Sequence, residues 1–329
     1  MKRHAYALLG LALSACASSA APMEQAAPAA FHMASPLPAN VMLSEANWYS
    51  EQVRVSGRLF QPAGPADSAS RPAVVLAPGW GETAETLDAY AGDLAAQGIV
   101  ALTIDYRGWG RSGAYLYLGE PLAVYDKMRF SEQTPKLVFR RGRLDPEHQV
   151  QDLRNAITFL QSLPGVDRAK IGILGLDMGG GHVISVMSMD TRAKAGVAIT
   201  PLIYGQGEEE KSFAPDAATQ AELVKLARDG APPTTETAAR ARNNQEERLA
   251  LREYKPFWRL DAVPQTAAVR FIVAETDDEI DNVVHARAAA RELKGLNDVR
   301  SLPGALHKLS PAQTAEAAKL AAEWFKQQL

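Results

Sequence analysis

Beyond residue 50, apolar positions fall into short runs separated by helical stripes. Val53 and Val55 alternate with polar residues, the period of a half-buried strand, and predict a first hairpin. Residues 73–77 form a short buried run. The segment after it puts Leu87, Tyr90, Ala91 and Leu94 on one helical face and stops at Gly98. Residues 99–104 predict the next strand. Asp145-Pro146 then supplies a cap and a first-turn proline for a helix striped by Val150, Leu153, Ile157 and Leu160. Residues 171–174, 195–199 and 269–274 predict further strands, and a helix-compatible stretch at 180–189 follows the first of them. Ser310-Pro311 opens the last helix, with Gln313 as the partner of a capping box. Such alternation predicts an α/β sheet flanked by helices.

Two stretches break the rhythm. Residues 113–144 carry Tyr115, Tyr117 and Tyr125 with basic Arg140, Arg141 and Arg143. Residues 204–260 are long, polar and mostly helix-compatible, acidic at 208–210 and basic at 240–242. Excursions of this length inside a compact domain predict lids or binding loops. Their charge runs read as solvated helix faces.

Composition narrows the class. The chain has 329 residues, is 47% hydrophobic and carries a formal net charge of −3. That is enough for one large α/β domain, with no electrostatic footprint for nucleic acid. No apolar run beyond the N-terminus is long enough to span a bilayer.

The N-terminus reads as a targeting segment. Lys2 and Arg3 precede an apolar core at 5–13, and Leu13-Ser14-Ala15-Cys16 resembles the lipobox of bacterial lipoproteins. The resemblance implies cleavage before Cys16, acylation of its thiol and a lipid-anchored place in the bacterial cell envelope, at the outer membrane or periplasm. Cys16 is the only cysteine, which excludes a disulfide within the chain. An ordinary secretory signal cut after Ala20 or Ala21, giving a soluble secreted or periplasmic protein, is the alternative. The expected organisation is a signal peptide at 1–15, a flexible tether rich in Ala, Pro and Ser at 16–45, and a folded domain at 46–329.

Candidate chemistry centres on Gly175-Leu176-Asp177-Met178-Gly179. An apolar strand, a Gly-rich turn and a helix are the setting of a nucleophile elbow, here with aspartate on the perch. The plain alternative is that Asp177 merely caps the helix. Residues 77–81 (APGWG) follow a strand where an oxyanion loop would lie, giving the backbone N–H groups of Trp80 and Met178 as candidate donors. Asp278, within 275–280 (ETDDEI), and His307, within 302–307 (LPGALH), follow in the chain order of such a site. His182, just past the elbow, reads as a helix residue touching the site. Gly108, Gly110 and Gly113 form a chance G-x-G-x-x-G without a capped helix after it, so no dinucleotide is expected. No metal motif is present, and neither metal nor cofactor is expected.

These motifs, with Asp105-Tyr106-Arg107-Gly108-Trp109-Gly110-Arg111-Ser112, resemble the α/β-hydrolase superfamily over nearly the whole mature length. The branch is similar to dienelactone-hydrolase-like and peptidase-like bacterial esterases. The resemblance implies a mostly parallel twisted sheet flanked by helices, a helical lid built from 113–144 and 204–260, a small-molecule substrate, and Asp278 rather than Asp277 as the acid. That branch places serine or cysteine where Asp177 stands. Haloalkane dehalogenases and epoxide hydrolases do place aspartate there, but favour H-G-x-P at the oxyanion loop.

Three readings follow. Asp177 could attack saturated carbon and form an alkyl ester that His307, oriented by Asp278, hydrolyses; the helix dipole and backbone N–H groups would keep it ionised, and Tyr115 or Tyr204 would protonate the leaving group. An ester, lactone or peptide-like bond could be cut with Asp177 in an altered role. Or an Asp177–His307 ion pair could remove the base and leave a non-catalytic binding protein.

Overall fold

The computed structural model describes residues 36–64, 70–118, 136–203 and 253–329, together with residues 221, 224, 228 and 250. Cys16 and the signal segment, Tyr125, Tyr204 and most of 204–260 lie outside the described residues.

The first hairpin is longer than Val53 and Val55 suggest. Strand β1 (Val41–Ser50) pairs antiparallel with β2 (Val53–Pro62), in register from Val41 opposite Pro62. Residues 41–45 are therefore strand, which corrects the tether boundary at 45. Burial alternates along the second half of β1, with Ala46, Trp48 and Ser50 inside and Asn47 and Tyr49 outside.

Next come β3 (Arg71–Ala77), α1 (Asp88–Ala96), β4 (Val100–Asp105), β5 (Tyr115–Leu118), β6 (Leu137–Arg140), α2 (Pro146–Ser162), β7 (Val166–Leu176), α3 (Asp177–Met189), β8 (Ala193–Ile199), β9 (Ala268–Ala274), β10 (Asn297–Leu302) and α4 (Pro311–Gln328). Eight strands make one sheet in the order β1-β2-β4-β3-β7-β8-β9-β10. Pairing is antiparallel from β1 through β2 to β4, and parallel from β4 to β10.

Alternate residues of the central strands feed two cores. Ala73, Val75 and Ala77 of β3 pack with Val150, Leu153 and Ile157 of α2 and Val183 and Ile184 of α3. Val74 and Leu76 face the other way, against Leu87, Leu94 and the Ala317–Phe325 face of α4. Because helices cover both faces, these strands are apolar throughout. The caps form as the sequence suggests. Asp145 accepts the His148 N–H at α2, and Ser310 and Gln313 close the capping box at α4.

The excursion 113–144 is not a helical lid in its described part. β5 and β6 pair as a separate two-stranded antiparallel ribbon, with Leu116 opposite Phe139 and Leu118 opposite Leu137. Aromatic and branched residues at successive positions suit a pleated pair better than a helix.

Candidate active site

The parallel strands deliver four loops to one edge of the sheet. The sharpest is the elbow, where β7 ends at Leu176 and α3 begins at Asp177. Asp177 has φ 46°, in the left-handed region that ordinary L residues avoid. The residues two positions either side of it must be glycine because backbones close in on them. A Cβ on Gly175 would lie 2.0 Å from the Gly179 carbonyl oxygen, and one on Gly179 would lie 2.2 Å from that of Ala77. Asp177 is thus raised on a strained turn and is more than a cap.

The Asp177 carboxylate divides its two oxygens between two surroundings. Oδ2 accepts a 3.0 Å hydrogen bond from the Trp80 backbone N–H. The Met178 backbone N–H also donates to the carboxylate. Both expected oxyanion donors therefore converge on Asp177 itself. Glu82 helps aim the loop, since its Oε2 accepts the Gly79 N–H at 3.0 Å. Oδ1 faces the other way and lies 3.7 Å from His307 Nε2. Burial pushes the Asp177 carboxyl above the ordinary carboxylate range. The Trp80 and Met178 N–H groups and His307 pull it down, and nearby Glu279 adds to the rise. The N–H donors expected to keep Asp177 ionised are present, but desolvation outweighs them.

The carboxylate that meets the His307 ring belongs to Asp277, the neighbour of the expected Asp278. His307 Nδ1 lies 3.1 and 3.2 Å from the two carboxylate oxygens of Asp277. Asp278 instead accepts the His307 backbone N–H at 3.0 Å. Two adjacent side chains of an irregular turn point in different directions, and here Asp277 turns inward, with its side chain 1% exposed. Its Oδ1 also accepts the backbone N–H groups of Glu279 and Ile280 at 3.0 and 2.9 Å. Asp278 stays exposed, its carboxyl held low by the His307 N–H. The loops around these residues are clasped together. Thr276 donates its N–H and hydroxyl to the Ala305 carbonyl, and Gly304 donates to Glu275.

A cleft of about 440 Å³ opens beside Asp177 and His307, lined also by Trp80, Glu82, Tyr90, Glu279 and Lys308. Glu279, whose Oε2 is 4.0 Å from His307 Nε2, and Tyr90 were not among the expected site residues. The Glu279 signal lay in the same acidic run as Asp278. Tyr115 lies elsewhere, against His148 and Arg143, and does not line this cleft. Among the described residues no cluster of His, Cys, Asp or Glu could hold a metal.

His182 sits beneath the elbow, fully buried. Its Nε2 meets Gln149 Oε1 at 2.9 Å and its Nδ1 meets the Tyr254 hydroxyl at 2.8 Å; that hydroxyl also donates to the Met178 carbonyl at 3.1 Å. A phenol has one proton. With the Gln149 oxygen at Nε2, that nitrogen donates and Nδ1 is left an acceptor, so the phenol proton is shared between Nδ1 and the Met178 carbonyl. Burial drives the His182 pKa down to about 3. The Asp105–Ser112 turn is also structural. Asp105 accepts the N–H groups of Ala84 and Arg111, and Arg107 grips buried Asp152.

The chain matches the Alpha/beta hydrolase family over residues 74–323. A thiohydrolase of Aspergillus aculeatus is 28% identical over 169 residues, covering 51% of this chain and 43% of that protein. The quorum-quenching protein AidA of Acinetobacter baumannii is 29% identical over 179 residues, covering 54% of this chain and 49% of that one. The match therefore spans less than half the length of either relative. Among solved structures, a hypothetical protein of Pseudomonas aeruginosa shares the fold with a TM-score of 0.68 at 17% identity, over 93% of this chain and 100% of that one. A dienelactone hydrolase of Anabaena variabilis shares it with a TM-score of 0.55 at 16% identity, over 88% and 99%. The chain belongs to the alpha/beta hydrolase family.

Proposed function

We propose that the protein is a hydrolase acting on a small molecule with a leaving group on saturated carbon, an epoxide or a halide, through a covalent ester on Asp177. The observation that carries this reading is the division of the Asp177 carboxylate. Oδ2 accepts the Trp80 N–H, one of the donors that an acyl substrate's oxygen would need, and the Met178 N–H also meets the carboxylate, while Oδ1 faces the cleft and His307.

Oδ1 attacks carbon and the leaving group departs with its electron pair. A halide leaves as the anion. An epoxide oxygen takes a proton from Tyr90, whose side chain lines the cleft. His307 then takes a proton from water, whose oxygen attacks Cγ of Asp177. The oxyanion that forms on Oδ2 is met by the Trp80 and Met178 N–H groups, already in place. Collapse releases the product alkoxide, which carries Oδ1 and takes the proton from His307; the second proton of the water, left on the Asp177 carboxyl, returns to Tyr90 after epoxide opening and passes to solvent after halide displacement. Asp277 supports the transient imidazolium. The raised pKa of Asp177 suits the first step, since a more basic carboxylate is a better nucleophile once ionised.

A second reading, acyl-bond hydrolysis with Asp177 in an altered role, draws on relatives such as the thiohydrolase. The non-catalytic reading draws on the 3.7 Å separation of His307 Nε2 and Oδ1, which is within ion-pair reach, and predicts neither turnover nor an adduct.

One turnover in heavy-oxygen water, over epoxide and haloalkane substrates, tests the reading. Label should enter the Asp177 peptide and not the first-formed product, and His307→Gln should accumulate an alkyl ester on that peptide. Label only in product, with no adduct, overturns it. Under the acyl reading, Asp177→Ser gains esterase activity instead. We also propose lipid anchoring in the cell envelope through Cys16, on the strength of the lipobox-like run. Palmitate labelling should mark the wild type and not Cys16→Ser, and a mature N-terminus after Ala20 or Ala21 would refute it.

A further inference from the structure

We infer that Glu279 is a specificity-determining residue, which favours substrates carrying a positive charge near the reacting carbon and disfavours substrates carrying a carboxylate there. The inference rests on the Asp177 reading, because that reading fixes where the reacting carbon sits.

His307 Nε2 is 3.7 Å from Asp177 Oδ1 and 4.0 Å from Glu279 Oε2. Both carboxylates thus approach the same ring nitrogen, and a carbon joined to Oδ1 shares the cleft with the Glu279 carboxylate. The Glu279 backbone is pinned by its N–H to Asp277, so the side chain springs from a fixed point on the same turn that carries the acid. That side chain is 51% exposed, and among the described residues no lysine or arginine pairs with it. It stands at the mouth of the cleft beside the His307 ring.

The rest of the lining points the same way. Asp177, Glu82 and Glu279 place three carboxylates around the cleft against one lysine, Lys308. Lys308 also acts on Asp278, whose carboxyl it helps to hold low, so its charge is shared with the outer face of the turn. Trp80 lines the same cleft with its side chain partly exposed, and an indole face attracts a quaternary ammonium. A substrate carboxylate would meet like charge there, while a trimethylammonium group would meet opposite charge and an aromatic ring.

At these separations, partly exposed, one charge is worth roughly a three- to tenfold change in binding, shrinking as salt is added. Three epoxides of similar size test this in the full-length protein at low ionic strength: (2,3-epoxypropyl)trimethylammonium, its uncharged carbon isostere and 3,4-epoxybutanoate. The wild type should prefer the cation to the anion in kcat/KM. Glu279→Gln should reduce that cation-to-anion ratio about three- to tenfold, mainly through KM, and Glu279→Asp should retain most of it. Calorimetry with unreactive propyltrimethylammonium and butanoate reads the same selection without turnover. An unchanged ratio in Glu279→Gln, a wild-type preference for the anion, or equal binding of the two inert ions overturns the inference. If no epoxide is turned over but propyltrimethylammonium binds the wild type better than Glu279→Gln, charge selection stands and the Asp177 chemistry falls.

Discussion

His182 and His307 flank the same elbow and have opposite surroundings. Beneath it, His182 has both ring nitrogens committed, to Gln149 and Tyr254, and burial holds it neutral. Above it, His307 commits only Nδ1, to Asp277, and turns Nε2 toward the cleft. A histidine becomes a base when one nitrogen is anchored by a carboxylate and the other faces a place where protons are exchanged. Fully satisfied, the same ring is a structural strut. Proximity to Asp177 alone does not separate the two.

The largest expected effect lies above the elbow. Asp277→Asn should lower kcat/KM by roughly 10²- to 10⁴-fold, since it removes the charge that holds the His307 tautomer and supports the imidazolium. Asp278→Asn, touching only the His307 backbone N–H, should cost less than about fivefold. Steady-state kinetics of the two variants decide which aspartate is the acid, and the reverse order would restore Asp278.

Beneath the elbow, stability should respond more than chemistry. Tyr254→Phe keeps the ring but strands buried His182 Nδ1 and the Met178 carbonyl, a loss of about 1–3 kcal/mol. Denaturant midpoints read it. A fall in kcat beyond tenfold with little change in midpoint would break the contrast by moving Tyr254 into the catalytic machinery.

The smallest effect is a slope. His182 has a folded pKa of about 3 against an ordinary 6.5, so the unfolded chain binds more protons between these values. Its contribution to stability is present above pH 6.5 and is lost as pH falls toward 3, at up to about 1.4 kcal/mol per pH unit for one proton. His182→Gln should flatten unfolding free energy against pH in that window. An unaltered slope would mean that His182 titrates normally and is not locked.

The chain's own residues made the central elements legible. Glycines at 175 and 179 and the apolar strand before them identify the elbow, because close backbone approach leaves no other residue that fits. The helix stripes and the capping motifs at Asp145 and Ser310 were equally plain, since period and cap chemistry are local properties. Non-local geometry was harder to read. Whether Asp277 or Asp278 reaches His307 depends on the twist of one turn against another loop, and both residues are aspartate. The start of β1 was hidden because Val41-Met42-Leu43 adjoins a Pro- and Ala-rich run, and only pairing with β2 marks it as strand. The β5–β6 ribbon escapes a sequence reading because its dense apolar positions show no clean alternation.

The positive φ at Asp177 bears on what could ever replace it. Asp and Asn tolerate the left-handed region several-fold better than most residues, because their short polar side chains bond locally. Asn is therefore the near-isosteric probe that removes charge without disturbing the turn. Serine enters at a conformational disadvantage, so an esterase rebuilt on this backbone by one substitution begins less stable than its parent. Exchange of residues at this position would then be directional, readier toward aspartate than away from it.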